Sequence, residues 1–67
     1  MTIFFNGTEV SVSHGVSLLD FLATQNMSEK KGIAVAVNNN IVIRANWSGN
    51  ILIENDKVLV ISATKGG

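Results

Sequence analysis

The 67-residue sequence has no cysteine, which excludes disulfide bonds, thiolate zinc sites and thiol nucleophiles together. It also has little charge. Five basic residues balance five acidic ones, so binding driven mainly by nucleic-acid phosphates or anionic lipid is disfavoured. No apolar run approaches the roughly 20 residues that span a bilayer, and the first residues lack the pattern of a secretory signal. We therefore expect a cytoplasmic protein with no membrane and no nucleic acid among its partners.

Apolar residues are abundant. They make up 46% of the sequence against 15% for charged residues, a composition typical of a folded domain rather than of intrinsic disorder. At this length only one folding unit is expected, because two would each be too small to sustain a core. With no disulfide or thiolate metal site available, apolar packing must hold the fold together.

The spacing of apolar residues predicts two strands, one helix and then three more strands. Asn6-Gly7 is a strong hairpin signal between the first two strands, and residues 38–40 predict another tight turn. Ser17 is a suitable N-cap for the helix, and Asn26 is suited to the left-handed conformation that ends one. The predicted strands are residues 2–6, 8–13, 33–37, 41–44 and 57–63, and the predicted helix is residues 18–25. Residues 45–50 are expected to be irregular, and residues 51–53 to cross between elements.

The last predicted strand is apolar on both faces, with Val58 and Val60 on one and Leu59 and Ile61 on the other. Such a strand belongs at the centre of a sheet. The predicted order is therefore ββαββ with this final strand, and placing it parallel to the first strand gives a mixed sheet with a hairpin on each side and the helix packed on one face. The expected fold is therefore α+β, of the ubiquitin-like β-grasp class.

Side chains suited to catalysis or metal binding are scarce. His14, the single histidine, stands in a predicted turn without a serine or acid placed for a proton relay. Glu54 and Asp56 flank a turn residue, which explains them more simply than a metal pair does. Lys30 and Lys31 are expected in a solvated loop, since two lysines make no nucleic-acid footprint. We expect no intrinsic enzymatic activity, no catalytic side chain and no resident metal or cofactor.

After a domain at residues 1–63, the sequence predicts a flexible tail at residues 64–67. Gly66 and Gly67 have no β-carbon, so they fit a slot too narrow for other residues. Four extended residues from Thr64 reach roughly 13 Å, enough to enter another protein's active site. If a partner converted the Gly67 carboxylate to an acyl-adenylate, a sulfur nucleophile would displace AMP and leave a thiocarboxylate. In that chemistry the chain is a substrate and a carrier.

Five pieces in order carry a resemblance that covers the whole chain. They are residues 2–6, residues 17–22, residues 33–38 with 41–44 and Trp47, residues 55–58, and residues 66–67. On these pieces the sequence resembles the ThiS family, the sulfur carriers of thiamine biosynthesis. Two places depart from the family pattern: Asn55 stands where glycine is usual, and Thr64 and Lys65 stand where small or apolar residues are common. Asparagine tolerates the left-handed region, so the fold is unaffected, whereas Lys65 bears on how a partner receives the tail.

The resemblance implies a set of partners. A ThiF-like enzyme would adenylate Gly67, using ATP and magnesium bound to that enzyme and not to this chain. A persulfide relay would then deliver sulfur and form the Gly67 thiocarboxylate. That group would donate sulfur to thiazole synthase, a ThiG-like enzyme. Gly66 would provide clearance and flexibility.

An exposed apolar patch is expected beside the tail. Phe4, Leu59 and Ile61 are predicted to lie together on the sheet face that the helix leaves uncovered. A patch of this kind usually marks a partner site, here the surface that docks on the adenylating enzyme. The alternative is that the loop around Trp47 or a second protomer covers it.

Other readings of the same fold stay open at this stage. A small subunit of molybdopterin synthase uses the same terminal chemistry for another pathway, although its family tends to be longer. A protein modifier would attach Gly67 to lysine through an isopeptide bond. A TGS-like module would bind a ligand or RNA, but neutral charge and the lack of basic residues interleaved with exposed aromatics count against it.

Overall fold

The computed structural model describes residues 1–62. Its strands are β1 (Thr2–Phe5), β2 (Thr8–Ser11), β3 (Ile33–Val37), β4 (Asn40–Ile41) and β5 (Lys57–Ser62), with the helix α1 (Leu18–Thr24) and a 3-10 helix (Arg44–Asn46). Ala63, the predicted last residue of the final strand, and the predicted tail at residues 64–67 lie outside the described residues.

The five strands form one sheet in the order β2-β1-β5-β3-β4, with β5 at its centre. β5 runs parallel to β1 and antiparallel to β3, and each outer pair of strands is an antiparallel hairpin. The buried side chains of α1 pack against those of β1, β3 and β5, so the helix covers one face. This confirms the predicted β-grasp arrangement and the central position of the last strand.

Asparagine lies in both hairpin turns, with glycine beside it in the first. Asn6 and Gly7 have φ angles of 50° and 85°, and Asn38 and Asn39 have φ angles of 52° and 71°. Positive φ at both central residues is what a type I′ turn requires, and the twist of this turn matches that of the flanking strands. The second turn was predicted to include Asn40, but this residue already pairs with β3 and opens β4.

β4 is shorter than predicted because the chain leaves the sheet after Ile41. It enters the 3-10 helix in a stretch predicted to be a strand end followed by irregular structure. Trp47, at the end of this helix, is only 2% exposed, and its indole Nε1 donates a hydrogen bond to the Val42 carbonyl at 2.8 Å. Burying so large a side chain draws the chain away from the sheet edge and toward the core.

The helix begins and ends as its capping residues predict. The Ser17 hydroxyl accepts a hydrogen bond from the Asp20 N–H at 3.0 Å, and Asn26 has a φ of 60°. The N–H groups of Asn26 and Met27 donate back to carbonyls of the last turn at 3.0 and 2.8 Å, which is a Schellman motif. Helical structure ends at Thr24, one residue before the predicted end.

The core lies between α1 and the inner face of the sheet. The rings of Phe5 and Phe21 meet edge to face, with centroids 5.2 Å apart. Leu52 from the predicted crossing segment is buried, whereas its neighbours Ile51 and Ile53 are exposed. The fully buried cluster consists of Ile3, Leu18, Phe21, Leu22, Val35, Trp47, Leu52 and Val58. Among residues 1–62, no helix is long and apolar enough to cross a membrane.

Candidate functional site

The two faces of β5 differ in what covers them. Val58 is 2% exposed and belongs to the core beneath α1, and Val60 is partly buried against that core. Leu59 and Ile61 alternate with them on the opposite face and are 45% and 54% exposed. Since successive side chains of a strand point to opposite faces, the central strand has one side covered by the helix and one side in solvent.

The uncovered side carries a row of apolar residues that crosses four strands. The strand register sets this row, through the pairs Phe4 with Lys57, Ile61 with Ala34, Leu59 with Ala36, and Ala36 with Ile41. Directly paired residues point to the same face of a sheet. We call Phe4, Ala36, Ile41, Leu59 and Ile61 the open face. Three of these residues, Phe4, Leu59 and Ile61, are those that the sequence placed together.

Ala36 and Ile41 belong to the open face, although the sequence reading did not include them. Ala36 is only 6% exposed because Leu59 and Ile41 flank it, and Ile41 is itself 66% exposed. The alternation of alanine with β-branched residues in β3 was the available signal for a close approach on this side. Ile41 gave no such signal, because its partner depends on the exact register of the β3–β4 hairpin.

A groove on the open face lies between the ends of β1 and β5. It has a volume of about 300 Å³, and Phe4 and Leu59 form its apolar part. The other lining residues are Asn6, Gly7, Asn39, Lys57 and Val58. Trp47 is part of the core on the helix side, so its side chain does not cover this face. The lining residues are therefore uncharged except for Lys57, which is the one cationic residue among them.

A hydrogen-bonded cluster fixes the start of β5. The Asp56 carboxylate, which is buried, accepts hydrogen bonds from the Asn38 side-chain amide and the Ile53 N–H, both at 2.9 Å. The Asn38 side-chain oxygen in turn accepts from the Lys57 N–H at 3.0 Å. Asp56 thus has the turn role that the sequence predicted. The neighbouring Glu54 side chain accepts instead from the backbone of β1, and the described residues contain no cluster of potential metal ligands.

Asn6 holds the middle of β5. Its N–H donates to the Val58 carbonyl at 2.9 Å, and its side-chain Oδ1 accepts from the Val60 N–H at 2.8 Å. β3 supports the opposite side of β5 as far as Ser62, which pairs with Ile33. Sequence analysis identified Asn6 only as a turn residue. Its tether to a residue 54 positions away depends on the sheet topology.

The remaining candidate residues lie apart from the open face. His14 is exposed in a turn, as predicted, and Lys30 and Lys31 are exposed in the link between α1 and β3. The predicted modified residue Gly67 and the tail residues Thr64, Lys65 and Gly66 lie outside the described residues. What the structure positions is therefore the strand that leads into the tail and the apolar surface beside it.

Solved structures share this fold. The crystal structure of the thiamine biosynthesis protein ThiS from Geobacter metallireducens matches with a TM-score of 0.85, at 17% identity over 100% of both chains. The solution structure of a thiamine biosynthesis protein from the same organism matches with a TM-score of 0.77, at 17% identity over 100% of this chain and 88% of that one. SAMP1 from Haloferax volcanii matches with a TM-score of 0.61, at 13% identity over 98% and 97% of the two chains.

Sequence comparison gives the family. No curated protein sequence matches this chain. The ThiS family model matches residues 3–67, which is nearly the whole chain and includes the segment beyond β5. Together with the β-grasp fold described above, this match shows that the chain belongs to the ThiS family, the small ubiquitin-like sulfur carriers of thiamine biosynthesis.

Proposed function

We propose that this chain carries sulfur as a thiocarboxylate on Gly67 for the assembly of the thiamine thiazole. The observation that carries the proposal is the ThiS family match, which continues through residue 67. The β-grasp body supports it physically, because β5 is paired on both sides near its start and the tail follows directly from it. The chain acts as a substrate and carrier, and its partners supply the catalytic groups.

The chemistry takes place in three steps on the terminal carboxyl group. At neutral pH this group is a carboxylate and a poor electrophile. An adenylating enzyme of the ThiF type joins the Gly67 carboxylate to the α-phosphate of ATP and releases pyrophosphate. The terminal sulfur of a persulfide then attacks the acyl carbon, and AMP leaves. Reductive cleavage of the resulting acyl disulfide by a thiol gives the thiocarboxylate. ATP and magnesium are bound by the enzyme.

The tail must reach into two active sites in turn. Four extended residues from Thr64 span roughly 13 Å, which is enough to enter another protein's active site. Gly66 and Gly67 offer no side chain to a narrow channel. The second active site is that of a thiazole synthase of the ThiG type, where the thiocarboxylate sulfur enters the ring. No side chain of this chain takes part in bond making.

The open face is the proposed docking surface for the adenylating enzyme. Leu59 and Ile61 are about half exposed and lie on the strand that leads to the tail. Phe4 and Leu59 also border the groove of about 300 Å³, which has room for an apolar side chain of the partner. A surface of this composition next to the modified terminus holds the body of the carrier while its tail is in the active site.

Intact-mass analysis tests the carrier chemistry directly. The chain is incubated with the adenylating enzyme, ATP and a persulfide donor, and its C-terminal peptide is then sequenced by mass spectrometry. We expect the mass increase of one oxygen replaced by one sulfur, confined to the peptide that ends in Gly67. A chain lacking Gly67 is the control. Transfer of sulfur from the charged chain to thiazole synthase, but not to molybdopterin synthase, then assigns the pathway. No mass change in the complete system would contradict the proposal.

A substitution on the open face tests the docking surface. Leu59→Glu places a charge in the apolar row, and we expect it to weaken binding to the adenylating enzyme about tenfold or more, as the loss of an interface anchor does. Ile51→Glu is the matched control, because Ile51 is also about half exposed but lies outside the sheet, beside the start of α1. Binding is measured by calorimetry with folded variants. Equal affinity of both variants would remove the open face from the interface.

A further inference from the structure

We propose that the adenylating enzyme pairs an extended backbone segment of its own with the C-terminal end of β5, on the side that faces β1. This edge, which we call the exit edge, consists of the Val60 carbonyl and the N–H and carbonyl of Ser62. The inference deepens the proposed function, on which it rests, by assigning a second contact that is made through backbone rather than through side chains.

The hydrogen bonds of β5 alternate between its two neighbours. The Asn38 N–H donates to the Lys57 carbonyl at 2.8 Å, so Lys57 and every second residue after it direct their backbone groups toward β3. The Phe4 N–H donates to the Asp56 carbonyl at 2.9 Å. Asp56 and every second residue after it therefore direct their backbone groups toward β1. Val60 and Ser62 belong to this second set.

β1 ends before β5 does. It pairs with β5 only opposite Lys57 and Val58, and after Phe5 the chain turns back into β2. On the other side, β3 remains paired with β5 as far as Ser62. The last residues of β5 are therefore paired on one side only, although β5 is the central strand of the sheet.

Asn6 closes the ladder where β1 stops. Its side-chain Oδ1 accepts from the Val60 N–H at 2.8 Å, in the position where the backbone of a longer β1 would accept. The next groups on the same side are the Val60 carbonyl and the N–H and carbonyl of Ser62. No strand of the described part of the chain lies opposite them. They form a short template for one further strand.

Nothing in the composition of the exit edge blocks strand addition. Unpaired strand edges are commonly protected by charged residues or proline, but Val60, Ile61 and Ser62 are uncharged and the chain has no proline. The outer edge strand β2, by contrast, contains Glu9, and β4 is only two residues long. An extended segment on the exit edge would gain backbone hydrogen bonds, as in other cases of strand addition.

The position of the exit edge identifies its occupant. Five residues separate Ser62 from the carboxyl group of Gly67, a span of at most roughly 17 Å. A protein that binds Gly67 in its active site therefore has its own backbone within reach of Ser62. The open face, on the same strand, gives that protein an apolar contact alongside. A second copy of this chain pairing edge to edge is the competing occupant.

Amide hydrogen exchange measured by NMR tests the pairing without any substitution. In the complex with the adenylating enzyme and ATP, we expect exchange of the Ser62 N–H to slow about tenfold or more, the effect of one net hydrogen bond. The Val60 N–H already donates to Asn6 in the free chain and serves as the internal comparison. A self-association series of the free chain is run beside it. Slowing at Ser62 in the free chain at high concentration would assign the edge to a second copy and overturn the proposal.

A proline substitution tests whether pairing at the exit edge contributes to adenylation. Ser62→Pro removes the N–H that faces the exit edge and leaves the bonds of Ile61 to β3 in place, whereas Ser62→Ala removes only the hydroxyl. We expect the adenylation rate at limiting carrier to fall about tenfold for Ser62→Pro and to stay unchanged for Ser62→Ala. Fluorescence of the buried Trp47 confirms that both variants fold.

The outcomes separate this inference from the proposed function. If Gly67 is adenylated at the normal rate while exchange at Ser62 and the Ser62→Pro variant show no effect, strand addition is wrong and the carrier function stands. If the unsubstituted chain is not adenylated at all, the proposed function fails and the occupant assigned here fails with it.

Discussion

Asparagine residues in the left-handed region of backbone conformation recur throughout this protein. Five of its eight asparagines have positive φ: Asn6, Asn26, Asn38, Asn39 and Asn55. Glycine would allow the same backbone, but Asn6 and Asn38 also use their side-chain oxygens as acceptors for N–H groups of β5. Asparagine thus contributes to both hairpin turns and ties each of them to the central strand.

Asn55 allows the contribution of the left-handed backbone conformation to stability to be measured separately from side-chain hydrogen bonds to β5. Its φ is 68°, and its N–H donates to the Thr2 carbonyl at 2.7 Å, a bond that every residue except proline retains. We expect Asn55→Ala to lower the free energy of unfolding by about 1 kcal/mol, because alanine is strained in this region, and Asn55→Gly to leave it equal or slightly higher. Urea titration gives both values, with Asn46→Ala, outside the positive-φ set, as the control. An Asn55→Ala variant as stable as the parent would show that the turn relaxes.

At the scale of elements, the 3-10 helix is held by tertiary contacts. The Arg44 guanidinium donates to the carbonyls of Ser28 and Lys30, the latter at 2.6 Å, and its carbon lies 4.4 Å from the centroid of the Trp47 ring. One side chain therefore connects the 3-10 helix, the link after α1 and the core. Three residues of 3-10 helix would have little stability without such contacts.

Arg44→Lys tests this connection while keeping the charge. A lysine ammonium cannot reproduce the planar fork that reaches two carbonyls and stacks on an indole, so we expect a loss of about 1 to 2 kcal/mol in the free energy of unfolding. Hydrogen exchange of residues 28–32 should also become faster than in the parent. Lys31→Ala, which removes an exposed cation from the same link, should change neither quantity. If Arg44→Lys kept the full stability of the parent, the positive charge alone, and not the planar guanidinium, would account for the interaction.

At the scale of the whole molecule, stability depends on a cluster of eight buried side chains with no covalent support. Domains of this size seldom exceed about 3 to 5 kcal/mol in free energy of unfolding. The open face adds exposed apolar area on the other side of the sheet. We therefore expect the same substitution to change the free energy of unfolding more in the core than on the open face.

Two leucine substitutions make this difference measurable. Leu22→Ala opens a cavity in the core and should cost about 2 to 5 kcal/mol, enough to leave much of the protein unfolded at 25 °C. Leu59→Ala removes a side chain that is already 45% exposed and should cost about 1 kcal/mol or less. Circular dichroism and Trp47 fluorescence report both. Equal losses in the two variants would mean that the open face is part of the stabilising core.

The sequence by itself determined those features whose cause lies within a few residues. Three such features are the hairpin at Asn6-Gly7, the Ser17 cap and the Asn26 terminator. Each acts on the backbone of adjacent residues, so the local sequence was enough to predict it. The two-faced apolar pattern of residues 57–63 placed the last strand at the centre of the sheet. The resemblance that pointed to Gly67 also needed only linear order, and the family match bears out the family but not the role of that residue.

Only the tertiary structure decided the contacts between distant segments. Ile41 joins the open face through a hairpin register, Asn6 reaches Val60 across 54 positions, and Arg44 finds carbonyls 14 and 16 positions away. The early end of β4 likewise follows from burying Trp47. Backbone carbonyls and N–H groups are present at every residue, so no residue type in the sequence indicates which of them a distant side chain will meet.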